Sequence, residues 1–175
     1  DGLRYQVNAC DLAYYLAEEE SRKGYMSEAL TALIDQLFAD GDTFSTGNLT
    51  FTVMHTPGHT PACLSYLVSD GEETIAFVGD TLFALGCGRL LECAPPVMFA
   101  SLNRLAALPA DTKVYCGHEY TLANARFALT VDPDNAALQA RAKKVEALRA
   151  ENRATLPTTI GALIDSGAAC LTAAQ

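Results

Sequence analysis

Three short apolar segments of this chain end in the same way. "LTFTVM" (49–54) runs into "HTPGH", "TIAFV" (74–78) runs into "GD", and "KVYC" (113–116) runs into "GH". Each is rich in β-branched or aromatic residues and each is stopped by glycine or proline, the pattern of a strand closed by a turn. The turns carry His59, Asp80 and His118. Strand C-terminal ends gather along one edge of a sheet, and polar residues mounted there build sites. The chain has three histidines in all, and two of them sit at such turns. Histidine and aspartate are the nitrogen and oxygen donors that zinc or iron accepts.

The third histidine is the ambiguous one. His55 and His59 are four residues apart, and on a helix they would share a face and chelate one ion. Pro57 and Gly58 lie between them and oppose a helix, so the stretch reads as a strand end followed by a rigid loop. A solvated turn histidine and a mounted site residue are both compatible with that reading.

The remaining segments fill in an α/β chain. Helices are predicted over 10–22, 27–38, 97–107, 121–129 and 135–152, a hairpin over 39–56, and a strand over 63–68. The strands of the second and third units are expected over 74–81 and 113–121, and the tail "GALIDSGAACLTAAQ" is weakly patterned. At 175 residues, half of them hydrophobic, the chain can bury a full core. A formal net charge of −9 argues against nucleic acid and anionic membrane as partners. There is no apolar run of membrane-spanning length, and the first residues do not read as a signal peptide. Six cysteines without a CxxC pair read as reduced thiols, which predicts a cytoplasmic protein.

"HTPGHT", "VGDTLFALGCGR" and "YCGHEYT", with "LPADTKVYCGHEYTLANARFALTVDPDNAAL" and "LPTTIG", resemble glyoxalase II, the hydroxyacylglutathione hydrolase of the metallo-β-lactamase superfamily. The likeness runs from about residue 40 to about residue 161. It implies the C-terminal half of an αββα sandwich over residues 1–120 and a helical extension over 121–175. It further implies two divalent metal ions (zinc foremost, iron or manganese as alternatives) at the sandwich edge. By that resemblance His59 is a ligand of one ion, Asp80 bridges both, and His118 is a ligand of the other. Arg89 and Tyr120 fall where the family contacts the glutathione thioester, and His55 falls at a position that is not a ligand. The implied reaction is metal-assisted hydrolysis of S-lactoylglutathione to lactate and glutathione.

The sequence also departs from that pattern. The family's upstream "THxHxDH" segment has no counterpart, because no histidine precedes His55. Leu90 and Leu91 stand where the family has aromatic residues, and no lysine or arginine follows "LPTTIG". The expectation is therefore an isolated chain that is inactive, with the other ligands supplied by an N-terminal portion or a second chain. Two alternatives share the scaffold: a binding protein that has lost catalysis, and a relative of the iron-dependent persulfide dioxygenases.

Overall fold

The computed structural model describes residues 39–172; the helices expected over 10–22 and 27–38 lie outside the described residues. The strands are β1 (Thr43–Thr46), β2 (Leu49–His55), β3 (Leu64–Ser69), β4 (Thr74–Phe77), β5 (Leu82–Phe83), β6 (Gly86–Cys87), β7 (Lys113–Tyr115) and β8 (Thr158–Thr159). The helices are α1 (Pro95–Ala106), α2 (Thr121–Val131), α3 (Ala136–Ala150) and α4 (Ile160–Thr172).

Six strands form one sheet in the order β1-β2-β3-β4-β7-β8, and β5 and β6 pair as a separate small hairpin. β1 to β4 are an antiparallel meander. β7 then joins β4 in parallel, and β8 closes the far side antiparallel to β7. Two reversals separate β2 from β4, and β7 runs with β4. The three strands that precede His59, Asp80 and His118 therefore all point toward one edge.

Both faces of the sheet are apolar. Pairing sets Phe51, Val53, Tyr66, Val68 and Phe77 on one side, through Phe51 opposite Val68, Val53 opposite Tyr66 and Tyr66 opposite Phe77. On the other side Ala76 and Val114 face each other and pack with Val78, Cys116, Leu105 of α1, and Ile160 and Leu163 of α4. A strand buried on both sides reads as an unbroken apolar run, which is what "TIAFV" is. Burial pushes the Cys116 thiol above its ordinary pKa, so this cysteine is a packing residue and a poor thiolate.

Several expected boundaries need correction. β4 stops at Phe77 instead of 81 because the Thr81 N–H turns back to the Val78 carbonyl at 3.1 Å. β7 stops at Tyr115 instead of 121 because the Gly117 N–H leaves the ladder for the Gly79 carbonyl, at 2.8 Å. α1 begins at Pro95, ahead of residue 97, since proline suits a first helical turn, where the N–H it lacks would have had no intrahelical acceptor. The weakly patterned tail is a helix. Over residues 160–167 its inward positions are Ile160, Leu163, Ser166 and Gly167, half of them too small to mark an apolar face. β8 adds a strand where the sequence led only to helices; two residues are too short to carry an alternation.

α2 and α3 form a helical hairpin. Leu138 and Ala142 of α3 pack against Ala125 and Ala128 of α2 and against Leu85. Asn135 caps α3 by accepting the Leu138 N–H at 3.0 Å.

Candidate metal site at the sheet edge

The loop after β2 is built to hold still. His55, at its start, uses its ring on the loop itself: Nε2 lies 2.8 Å from the Pro61 carbonyl. The His55 N–H donates to Asp40, and Arg104 of α1 donates both to the His55 carbonyl and to the Asp40 carboxylate. The Ser101 hydroxyl of α1 donates to the Pro57 carbonyl at 2.6 Å. Beneath the loop, the buried hydroxyls of Thr56 and Ser65 pair at 2.8 Å, and the Thr81 hydroxyl donates to the Thr56 carbonyl at 2.9 Å. This last bond ties the loop that carries His59 to the loop that carries Asp80.

His59, Asp80 and His118 come together at that edge. The Asp80 Oδ2 lies 3.7 Å from His59 Nε2 and 3.4 Å from His118 Nε2. The His59 Nδ1 sits 2.7 Å from the Arg89 carbonyl. A carbonyl only accepts, so Nδ1 carries a proton and Nε2 is the nitrogen turned toward Asp80. His118 stacks on Tyr120 with ring centroids 5.0 Å apart, and Phe83 of β5 packs against both rings.

Two glycines admit the carboxylate to this position. A Cβ on Gly88 would stand 1.8 Å from the Asp80 carbonyl oxygen, and a Cβ on Gly117 would stand 2.5 Å from Asp80 Oδ1. Both approaches are closed to any other residue unless Asp80 moves.

The arrangement fits divalent cations in kind and in spacing. The contacts from Asp80 to the imidazoles are longer than good hydrogen bonds. Two donors about 2.1 Å from a tetrahedral ion stand roughly 3.4 Å apart, which His118 matches at 3.4 Å and His59 approaches at 3.7 Å. Asp80 Oδ1 is buried and has no hydrogen-bond partner, although a buried carboxylate oxygen normally has one. The donor count is short, however. Among the described residues no group of three or more His, Cys, Asp and Glu side chains is placed to hold one ion. Each imidazole meets Asp80 singly, so each ion would have two protein ligands here, against the three usual for catalytic zinc.

Of the two residues expected at the substrate, Tyr120 is half exposed on the His118 ring and Arg89 is exposed on the turn whose carbonyl holds His59. Leu90 and Leu91 beside it are exposed as well. Three contributors went unnoticed in the sequence: Phe83, Glu119 and Thr155. The Glu119 carboxylate accepts the N–H and the hydroxyl of Thr155, at 2.9 and 2.6 Å. Partial burial works to raise the Glu119 pKa, but these bonds outweigh it and hold the carboxyl below its ordinary range.

The chain is similar in sequence to known proteins. The family model described as "Metallo-beta-lactamase superfamily" matches residues 7–118, and the one described as "Hydroxyacylglutathione hydrolase C-terminus" matches residues 119–162. A hydroxyacylglutathione hydrolase of Mesorhizobium japonicum is 59% identical over 128 residues, covering 73% of this chain and 49% of the relative. One from Chelativorans is 57% identical over 128 residues, with the same coverage of 73% and 49%. The crystal structure of ETHE1 from Myxococcus xanthus is 40% identical over 47% of this chain and 36% of its own, with a TM-score of 0.42. The chain spans about half the length of the curated relatives it matches. With one superfamily covering most of its length and the hydrolase-specific segment following directly, the chain belongs to the metallo-β-lactamase superfamily and, within it, to the hydroxyacylglutathione hydrolase (glyoxalase II) family.

Proposed function

We propose that this chain carries the C-terminal part of a metal-dependent thioester hydrolase acting on S-(2-hydroxyacyl)glutathione, with S-lactoylglutathione as the representative substrate. The observation that carries the reading is Asp80 set between His59 and His118, with one carboxylate oxygen facing both imidazoles and the other left without a partner. His59 with Asp80 would hold one divalent cation and Asp80 with His118 a second, zinc foremost and iron or manganese as alternatives. When bound, such a pair supplies Lewis acidity, which acidifies water and polarises a carbonyl oxygen.

The chain's own side chains do the placing. The Arg89 carbonyl fixes the His59 tautomer, as a partner behind a ligand does. Asp80 contributes the charge that both cations share. Arg89 offers a guanidinium at the same turn for a carboxylate of the glutathione moiety, and Tyr120 offers a hydroxyl beside His118. A thiolate leaves without a strong general acid, and the site provides no obvious one.

The ligand count supports a division of labour. Residues 1–120 would form the metal-bearing part and 121–175 the substrate-side extension, with further ligands supplied from outside residues 39–172. Neither nucleic acid nor membrane is a partner in this reading; no helix among the described residues is long and apolar enough to cross a membrane. Among the described residues Cys63 and Cys93 are free thiols, in keeping with a reducing, cytoplasmic setting.

The test is turnover of S-lactoylglutathione by the chain alone and by the chain fused to the N-terminal portion of one of its relatives. The fusion is expected to release glutathione and the chain alone to release none. Absence of turnover in a folded, metal-loaded fusion would refute the assignment. Enzyme-like turnover by the chain alone would refute the division of labour.

A further inference from the structure

Glu119 stands between two residues of the candidate site and binds a different part of the molecule. His118 and Tyr120 stack on one side of the loop, while the intervening carboxylate reaches Thr155, in the segment between α3 and β8. The chain bends at His118 and Tyr120 leads into α2, so Glu119 is the link between the two rings, and holding it restrains the backbone on both sides. Thr155 is 3% exposed and Thr121 is 1% exposed, so the exposed Glu119 is anchored on a buried partner. The hydroxyls of Thr155 and Thr121 lie 2.6 Å apart. The Thr155 hydroxyl is thus within donating reach of both the Glu119 carboxylate and the Thr121 hydroxyl. Arg141 of α3 donates to the Thr155 carbonyl at 2.9 Å, which engages the last polar atom of that residue.

His118 needs such a hold. Its side chain is 52% exposed, so packing alone does not set the ring. The thiol of Cys116 reaches the His118 carbonyl at 3.5 Å, a weak sulfur bond. The bonds to Glu119 involve an ionised acceptor and are about twice as strong as neutral ones.

We propose that Glu119 is a positioning residue: latched to Thr155, it fixes the loop between β7 and α2 so that His118 and Tyr120 keep one orientation. The C-terminal helical region thereby sets the geometry of the site. The catalytic consequence rests on the thioester hydrolase reading; the latch itself does not.

The test is NMR of the metal-free chain as wild type, Glu119→Gln, Thr155→Val and Thr155→Ser. The first two substitutions are expected to abolish the nuclear Overhauser contact between the His118 and Tyr120 rings and to shift both sets of ring signals, leaving those of His59 in place. Thr155→Ser keeps both donors and is expected to keep the contact. In an active fusion, Glu119→Gln and Thr155→Val are expected to lower kcat about 10–100-fold, the range for partners behind a metal ligand. If Glu119→Gln and Thr155→Val keep wild-type ring contacts and shifts and lower only the melting temperature, Glu119 is merely structural and the proposal fails. Should Glu119→Gln not fold, Thr155→Val decides. If no fusion turns over thioester, the functional reading falls while the ring contacts still judge the latch.

Discussion

Asp80 is the side chain on which the two imidazoles depend, and its replacement has a defined consequence. In a complete enzyme Asp80→Asn is expected to reduce thioester turnover by more than about a hundredfold, exceeding the usual effect of losing a partner behind a ligand. His55→Ala removes only the ring's bond to the Pro61 carbonyl and is expected to cost about 1 kcal/mol of stability with turnover largely kept. Turnover of the two variants, each checked for folding and metal content, separates the roles; the reverse ranking would refute them. Gly88→Ala and Gly117→Ala divide in another way. The first meets the Asp80 backbone and is expected to reach or exceed the upper end of the roughly 1–3 kcal/mol that overpacking costs. The second meets the Asp80 side chain and is expected to weaken metal binding with a smaller loss of stability, measured by thermal melting beside metal titration. His59, Asp80 and His118 were legible in the sequence because each closes a strand at a glycine or proline turn. Glu119 was not, since its partner is a single threonine 36 residues away whose neighbours give no sign of the contact.

β2 and α1 meet through Asp40, Arg104 and the main chain of His55, and this clamp titrates. The Arg104 hydrogen bond chiefly, and the His55 N–H next, hold the Asp40 carboxyl below the ordinary aspartate range. A depressed folded pKa stabilises at every pH above the unfolded value and loses that contribution as pH falls through the folded one. The side chains are close to half exposed, so the contribution is no more than about 1 kcal/mol. Asp40→Asn is accordingly expected to melt lower than wild type at neutral pH, with the difference closing below about pH 4. A melting-temperature difference that persists unchanged to pH 2 would show that charge is not involved. Elements with a full apolar period, such as β2 and α1, were readable from sequence. β8 and α4 were not, because one has two residues and the other turns glycine and serine inward.

At the scale of the molecule, the helical extension is not separable from the sheet. Ile160 and Leu163 share one core cluster with Val78, Leu105 and Val114, and β8 pairs with β7 along Val114 and Lys113. A fragment ending at residue 120 is expected to lack cooperative melting, which calorimetry can check; a sharp transition would show that α4 is dispensable. The chain alone, dialysed against a chelator and then equilibrated with zinc, is expected to retain at most one weakly held ion by elemental analysis. The mixed α/β class and the shared edge could be read from three strand-and-turn units. The cover on the sheet could not, because it depends on contacts made far along the chain. The strand order also bears on folding kinetics. β1 to β4 pair with sequence neighbours, whereas β7 must return across a crossover and β8 across two helices, and loop closure of that length slows assembly. His59 and Asp80 would thus be neighbours early in refolding and His118 a late arrival. In pulse-labelling hydrogen exchange, the amides of β2 and β3 should be protected before the Gly117 amide that closes onto Gly79, so any cation present during refolding would first meet a half-assembled site.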